Sequence, residues 1–298
     1  LVNNGALSLS QAEDYLNDRN GAMVVAAING LAPIYLTKAN QGQLTLKDLL
    51  KIEDKLDEDK FDYYNSYIRQ AAIKALAPAY NVLINQGKMS LSGISKLENK
   101  LGEDDHLVVQ VANESIPPVY YSLIKQGKMS VLQVEEKLKR GKYQGESRQI
   151  VAIYTLGLIY LDMIREGKMS PSGLSKLVET RNQVDYQNDW LVRIAAIKTL
   201  TPLCIELSNR GKLREADLER IISRIWPEND KDVKRVESEA WNTIQASLID
   251  KEKKPLPDLT ADYTVSNMQI LGSLITSYIK AGKVKITARD FDRYDNLQ

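Results

Sequence analysis

One short phrase returns along the chain, each time after a stretch with helical periodicity. It reads Gln-Gly-Lys-Met-Ser at 86–90 and 126–130 and Glu-Gly-Lys-Met-Ser at 166–170, with looser versions at 4–8 and 41–45. The spacings between the successive glycines are 37, 45, 40, 40, 44 and 71 residues. A period near 40 built from helical patterns predicts an all-α fold of the α-solenoid type. The glycines are Gly5, Gly42, Gly87, Gly127, Gly167, Gly211 and Gly282.

The segment before each glycine carries the pattern of one long amphipathic helix. Aliphatic or alanine residues recur 15, 11, 8 and 4 residues before the glycine, which places them on one face of a helix with 3.6 residues per turn. The alanines at the first of these positions predict close approach between helices. They are Ala27, Ala72, Ala112, Ala152 and Ala196.

The phrase itself has the chemistry of a turn between two helices. Glycine adopts the left-handed conformation that ends a helix, and the Ser or Thr three residues later caps the next one. A lysine after the glycine, as in Lys88, suits the carbonyl end of the preceding helix. Shorter amphipathic patterns follow, for example at 91–101. We therefore expect each repeat to hold a short helix and then a long one.

A proline lies nine residues before the glycine in four of the repeats. Proline removes a backbone N–H and clashes with the preceding turn, so each long helix should either kink or split there. Splitting would give three helices per repeat and kinking two. Because the apolar spacing continues in register through the proline, we favour the kink. The prolines are Pro33, Pro78, Pro118 and Pro202.

The segment from Trp190 to Leu200, preceded by Asp189, resembles the second helix of a HEAT repeat, with its aspartate, Val-Arg, alanine and leucine pattern. Tyr67 to Leu76 repeats that pattern. The resemblance to the HEAT and armadillo superfamily covers roughly residues 1–250. It implies a right-handed α-solenoid of about six repeats, in a superfamily made mostly of binding scaffolds with rare enzymes.

The domain boundaries follow from where the pattern fades. We expect one repeat array over residues 1–250 and a C-terminal segment over 251–298. The stretch from Asp250 to Asp262 has the composition of a linker. A last helix from about Ser266 to Ala281 would then cap the array, since solenoids need a more polar end.

Composition narrows the classes of partner. Forty basic residues against 39 acidic ones give a net charge of +1, so we do not expect a nucleic-acid partner. We also expect no membrane insertion, because the weakly polar run from Ile150 to Leu161 is shorter than the ~20 residues that a spanning helix needs. Cys204 is the single cysteine, which fits the cytoplasm. The first residue is Leu1, so export after removal of a signal stays open, as does the oligomeric state.

A row of tyrosines lies seven residues before the glycines. In stacked repeats they would form a ladder, either as aromatic anchors for a partner or as packing residues that hydrogen-bond between repeats. The structural interpretation is favoured, because the position borders the apolar face. The row consists of Tyr35, Tyr80, Tyr120 and Tyr160, with Cys204 at the fifth place.

The leading interpretation is a non-enzymatic scaffold whose long helices line a concave groove for a protein or peptide, with no cofactor, metal or catalytic residue. The tyrosine row and polar positions on the long helices are the candidate contacts. An enzyme resembling the HEAT-like alkylpurine DNA glycosylases, acting near Trp190, Arg193 and Trp241, is the alternative, and a structural spacer is another. The polar candidates are Arg69, Lys74, Glu114, Gln149, Arg193 and Lys198.

Overall fold

The computed structural model describes residues 8–59, 63–136, 145–183, 190–213, 217, 221 and 231–252. Within these ranges every regular element is a helix, and no β-strand occurs there. The expectation of an all-α protein is therefore confirmed.

Short and long helices alternate along most of the described chain. The short ones are α1 (Leu9–Asp14), α3 (Leu46–Glu53), α5 (Ser95–Asn99), α7 (Val131–Glu136) and α9 (Ser175–Gln183). The long ones are α2 (Gly21–Asn40), α4 (Asn65–Asn85), α6 (His106–Lys125), α8 (Gly145–Arg165), α10 (Trp190–Asn209) and α11 (Lys231–Glu252). Each short helix and the long helix after it are called a helical pair, α1 with α2 being the first and α9 with α10 the fifth.

The chain divides into two compact parts, residues 1–159 and 160–298, and the division falls inside α8. In the first part α2 packs against α4 and α4 against α6, while α1, α3 and α5 each pack against the long helix of their own pair. In the second part α10 packs against α9 and α11. The first part therefore has a row of long helices with the short helices packed onto it.

The phrase glycines end the long helices as the sequence predicts. Gly42, Gly87, Gly127, Gly167 and Gly211 have φ angles of 72°, 76°, 66°, 78° and 65°. At the second turn the Gly87 N–H donates to the Ile84 carbonyl at 2.9 Å and the Lys88 N–H to the Leu83 carbonyl at 2.8 Å. These two bonds satisfy carbonyls that the helix end would otherwise leave unpaired.

The predicted N-caps form at some turns only. At Thr45 the hydroxyl accepts from the Asp48 N–H, and the Asp48 carboxylate accepts from the Thr45 N–H in return. Ser130 and Gln133 make the same reciprocal pair.

Ser90 and Ser170 do not cap a helix through their side chains, which corrects the expectation at these two turns. Three residues after each of them stands a glycine, Gly93 or Gly173, which has no side chain to complete a capping box. Each serine contacts a second serine instead, and a 3-10 turn, Leu91–Ile94 or Pro171–Leu174, precedes α5 or α9.

The long helices bury the face that the spacing predicts. In α4 the residues 15, 11 and 4 positions before the glycine are Ala72, Leu76 and Leu83, and each is at most 2% exposed. The alanine position leaves room for the neighbouring helix because its side chain is a single methyl group. Each proline-containing long helix runs uninterrupted through its proline. The expectation of one long helix per repeat, not two separate ones, is confirmed for these four.

One long helix has the length and composition of a membrane-spanning segment. α2 is long and apolar enough, by length and composition alone, to cross a membrane, and it is the one such helix among the described residues. It buries Val24, Ile28 and Leu31, and 33% of its apolar window is buried overall. At the other end of the described chain, α11 extends to Glu252, three residues into the expected linker at 250–262. The proposed capping helix at 266–281 lies outside the described residues.

The turn geometry predicts opposite effects for two glycine-to-alanine substitutions. Gly87→Ala should lower the free energy of unfolding by about 1–2 kcal/mol, because an L-residue resists the left-handed conformation. An added methyl group there meets no other atom within 4 Å, so the effect would come from the backbone alone.

Gly30→Ala is the matched control in the interior of α2, where an added methyl group also meets nothing within 4 Å. It should raise the free energy of unfolding by about 0.5–1 kcal/mol, because alanine favours the helix. Urea denaturation of both variants measures whether Gly87→Ala lowers the free energy of unfolding and Gly30→Ala raises it. Equal effects of the two substitutions would contradict the role given to the turn.

Candidate binding surface on the long helices

The long helices leave one repeated set of positions facing outward. The residues 20, 13 and 9 positions before the turn glycine are exposed or half-buried in all five pairs. These spacings place them on one face of a helix, opposite the buried one. This set, called the outer stripe, comprises Ala22, Asn29 and Pro33 on α2; Tyr67, Lys74 and Pro78 on α4; Leu107, Glu114 and Pro118 on α6; Ser147, Tyr154 and Leu158 on α8; and Leu191, Lys198 and Pro202 on α10.

Stripes on neighbouring helices lie close together in the first part of the chain. Tyr154 on α8 and Glu114 on α6 hold the same stripe position. Burial, and then the negative charge of Glu114, raises the pKa of Tyr154. The Gln110 amide also donates to the Glu114 carboxylate at 3.2 Å. Tyr154 on α8 and Glu114 on α6 are therefore close enough to interact electrostatically.

Each stripe proline leaves one helix carbonyl without its usual donor. Proline has no N–H, so it cannot bond the carbonyl four residues earlier. For Pro78 that carbonyl belongs to Lys74, and for Pro118 it belongs to Glu114, and the side chains of both are exposed on the stripe. The proline and the residue that loses this donor are thus both members of the outer stripe.

Three of the six polar residues that the sequence suggested as contacts are exposed, two are half-buried and one is buried. Lys74, Glu114 and Lys198 are exposed members of the outer stripe. Arg193 is half-buried, and Gln149 is only 5% exposed. Gln149 is therefore withdrawn as a contact for a partner, because its amide lies in the interior.

Arg69 has a structural partner of its own. Its guanidinium lies 3.5 Å from the Glu103 carboxylate, and the two side chains are 24% and 18% exposed. Burial by itself raises the pKa of nearby Asp105, but the Ser66 side chain, the N–H groups of Val108 and Leu107 and the Arg69 charge together lower it. Replacing Arg69 by glutamate would place a third acid beside these two. Such a change should therefore lower the stability of the fold as well as alter its surface.

The tyrosine row lies in the core. Tyr35, Tyr80 and Tyr120 are each at most 1% exposed and Tyr160 is 4% exposed. Their rings have no free face for a partner, so the suggestion that they are contact residues is corrected. The position borders the buried face of the helix, and large rings complete the packing there.

Each of the first three tyrosines donates a hydrogen bond to a glutamate on the short helix of its own pair. Tyr35 bonds Glu13 at 2.9 Å and Tyr80 bonds Glu53 at 2.6 Å. Tyr120 bonds Glu98 in the same way. Burial, together with the glutamate, raises the pKa of all three phenols above the usual value. The tyrosines therefore stay neutral donors.

Two of these glutamates, Glu13 and Glu53, also bind a lysine from the next short helix. Lys96 on α5 lies 3.3 Å from the Glu53 carboxylate, and Lys51 on α3 pairs with Glu13. One carboxylate thus joins the long helix of its own pair to the short helix of the next pair. We call this arrangement the Tyr–Glu–Lys link.

Lysines of the repeated phrase make a second set of connections. The Lys88 ammonium group donates to the Gly42 carbonyl at 3.0 Å, and that of Lys212 donates to the Gly167 carbonyl at 3.2 Å. The sequence predicted an interaction with the helix that the phrase ends. The lysine reaches instead to the glycine turn of the preceding pair, because its side chain is long enough to cross between the turns.

Cys204 takes the place of a tyrosine in the fifth pair, where it is buried and forms no disulfide. A cavity of about 20 Å³ lies beside it, between α10 and α11. A cysteine is much smaller than a tyrosine, so the space that a ring would fill stays partly open. The cavity lining includes Ile197, Leu200, Ile221 and Ile244.

Sequence reasoning missed a group of exposed apolar residues at the starts of long helices. Tyr63 is 73% exposed, Tyr67 45%, Leu107 41% and Met23 38%. Three tyrosines within five residues, at 63, 64 and 67, were the available signal. Trp190 is also exposed, at 43%, whereas the side chain of Trp241 and all of Trp226 lie outside the described residues.

No family profile, curated protein or solved structure matched the chain. The described residues hold no group of three or more His, Cys, Asp or Glu side chains placed to bind a metal ion.

The Tyr–Glu–Lys link predicts that Tyr80→Phe destabilises the protein at neutral pH. The substitution keeps the ring but removes a buried donor to a carboxylate, which should cost about 1–2 kcal/mol of unfolding free energy. Urea denaturation measures the loss. The control is Tyr63→Phe at the exposed surface, which should change stability by less than about 0.5 kcal/mol.

The cost of Tyr80→Phe should also depend on pH. The folded protein raises the pKa of Tyr80, so its contribution to stability is complete below the unfolded-state pKa of about 10 and declines at higher pH. The stability difference between the unmodified protein and the variant should therefore shrink between pH 8 and pH 11. A difference that grows over this range would contradict the assignment of Tyr80 as a neutral donor.

Proposed function

We propose that this protein is a non-enzymatic scaffold that binds a protein or an extended peptide through the outer stripe of its long helices. The architecture that we infer is a right-handed solenoid of about six repeats of the HEAT and armadillo type. Five helical pairs with a common turn support this inference. The proposal concerns binding, with no reaction step.

The observation that carries the proposal is the regularity of the exposed face. Stripe positions stay exposed or half-buried on every proline-containing long helix, and the residues at the first two positions vary among the pairs, while the third is a proline. The buried face, in contrast, repeats the same residue types. A surface that keeps its position while its side chains vary suits recognition, because each helix can contribute a different contact.

The chemistry of the stripe fits an extended partner. Packed helices lie about 8–10 Å apart, and an extended chain advances about 3.3 Å per residue, so one contact per helix matches about three residues of peptide. The carbonyls freed by Pro78 and Pro118 would accept bonds from donors on that peptide. Lys74 on α4 would pair with an acidic residue of the peptide, and Glu114 on the adjacent helix α6 would pair with a basic one.

A charge exchange on the stripe tests the proposal. The double variant Lys74→Glu, Glu114→Lys keeps the net charge but reverses the two central stripe charges. Proteins captured from the native cell lysate are quantified by mass spectrometry. At least one protein bound by the unmodified chain should be lost by about tenfold or more, since misplaced charges at an interface each cost several kcal/mol.

The control exchanges two exposed charges on the short helices, Lys47→Glu with Glu136→Lys. It should retain every captured protein. The melting temperatures of both variants should stay close to that of the unmodified chain, because all four residues are exposed. If both double variants capture the same set of proteins as the unmodified chain, the outer stripe is not the binding surface.

A further inference from the structure

Three tyrosines form an exposed cluster where α4 begins. The ring centroids of Tyr63 and Tyr64 are 5.3 Å apart with the planes at 89°, and those of Tyr63 and Tyr67 are 5.8 Å apart. Tyr63 is 73% exposed and Tyr67 is 45% exposed. A hydrogen bond to Tyr63 is the main cause that raises the pKa of Tyr67. We call these three residues the tyrosine patch.

The patch is held in place by the neighbouring helix. An added methyl group on Gly21, the first residue of α2, would come within 2.5 Å of the Tyr64 β-carbon. Tyr64 is thus packed against the α2 backbone, while Tyr63 and Tyr67 keep open ring surface. Because its position is fixed by packing, the patch presents aromatic area at a small entropic cost on binding.

The charges around the patch are mainly acidic. Six acidic residues lie in the described segments 55–59 and 100–105, namely Asp57, Glu58, Asp59, Glu103, Asp104 and Asp105. A hydrogen bond between the side chains of Asp105 and Ser66 places the second of these segments beside the patch.

The described lysines of these two segments, Lys55 and Lys100, and the nearby Arg69 already have partners. Lys55 pairs with Glu58 at 3.1 Å, and Lys100 pairs with Asp57 at 2.7 Å and Glu103 at 2.6 Å. Arg69 pairs with Glu103, as described above. These three cationic side chains are 8%, 7% and 24% exposed. Asp59 and Asp104 are exposed, so the solvent-facing charge near the patch favours a cation.

We propose that the tyrosine patch binds an arginine side chain on a basic segment of the partner peptide. The guanidinium plane would stack on the open faces of Tyr63 and Tyr67, with the acidic residues at 104 and 105 nearby. This inference rests on the proposed function, because Tyr67 is the first stripe residue of α4. It specifies the partner of the outer stripe as a basic peptide that contains arginine.

The ring spacing favours arginine over a methylated lysine. Centroids 5.3–6.4 Å apart belong to rings in contact, which leave no slot between them for a bulky ammonium group. A flat guanidinium needs only one open face. Nucleic acid would meet the same acidic residues as a repulsive charge, so a basic peptide is the partner that this surface fits.

The test uses three labelled peptides with the unmodified chain at physiological salt. Alternating Gly-Arg, Gly-Lys and Gly-Gln decapeptides are titrated by fluorescence anisotropy. The Gly-Arg peptide should bind most tightly, and the Gly-Gln peptide should bind least. In the double variant Tyr63→Leu, Tyr67→Leu the affinity for Gly-Arg should fall by about 5- to 30-fold, the value expected for two exposed cation–π contacts.

The matched variant Tyr63→Phe, Tyr67→Phe keeps both aromatic faces and should lose less than about threefold. Equal binding of Gly-Arg and Gly-Gln, or an unchanged affinity in the leucine variant, would overturn the proposal. Equal losses in the leucine and phenylalanine variants would also overturn it, since hydroxyl groups would then carry the contact. If the leucine variant still captures every protein that the stripe charge exchange loses, the patch is refuted while the scaffold function stands.

Discussion

A glutamate on each of the first three short helices accepts a hydrogen bond from a buried tyrosine, and two of these glutamates also bind a lysine of the next helical pair. Glu53 receives the Tyr80 hydroxyl at 2.6 Å and the Lys96 ammonium at 3.3 Å. A carboxylate this far from water is costly unless its oxygens are satisfied, and here one oxygen serves each donor. The carboxylate therefore joins its own pair to the following one, and the glycine turns add a second connection through Lys88.

These connections occupy some of the polar side chains, so only the others are available to bind a partner. The tyrosine row and Arg69 are held by partners inside the fold, so their polar groups serve stability. The outer stripe is left with exposed residues such as Lys74 and Pro78 that the packing does not use. Each stripe proline also leaves the carbonyl four residues earlier without its usual helical donor. The tyrosine patch continues this surface through Tyr67 at the start of α4, close to the acidic residues Asp104 and Asp105.

The period of the phrase, the left-handed glycines and the buried spacing were all predictable, since each follows from local backbone and helix geometry. Gly87 and Leu76 are examples. The candidate site was less predictable. Spacing places Tyr80 beside the apolar face, but only the fold shows Glu53 close enough to bond it, 27 residues away. Likewise, Arg69 shares a helix with exposed Lys74, and only its distance to Glu103 reveals a structural role. Contacts between pairs depend on helix packing, which the sequence pattern does not specify.

A shared glutamate couples successive helical pairs in this fold. A double-mutant cycle in urea denaturation tests this coupling, using Tyr80→Phe, Lys96→Met and the two combined. Tyr80 and Lys96 lie on different pairs, and both bond the Glu53 carboxylate. We expect the two losses to deviate from additivity by at least about 0.5 kcal/mol, as for residues in one hydrogen-bonded network. Additive losses within experimental error would contradict the claim, because independent effects would mean that Glu53 does not link the pairs.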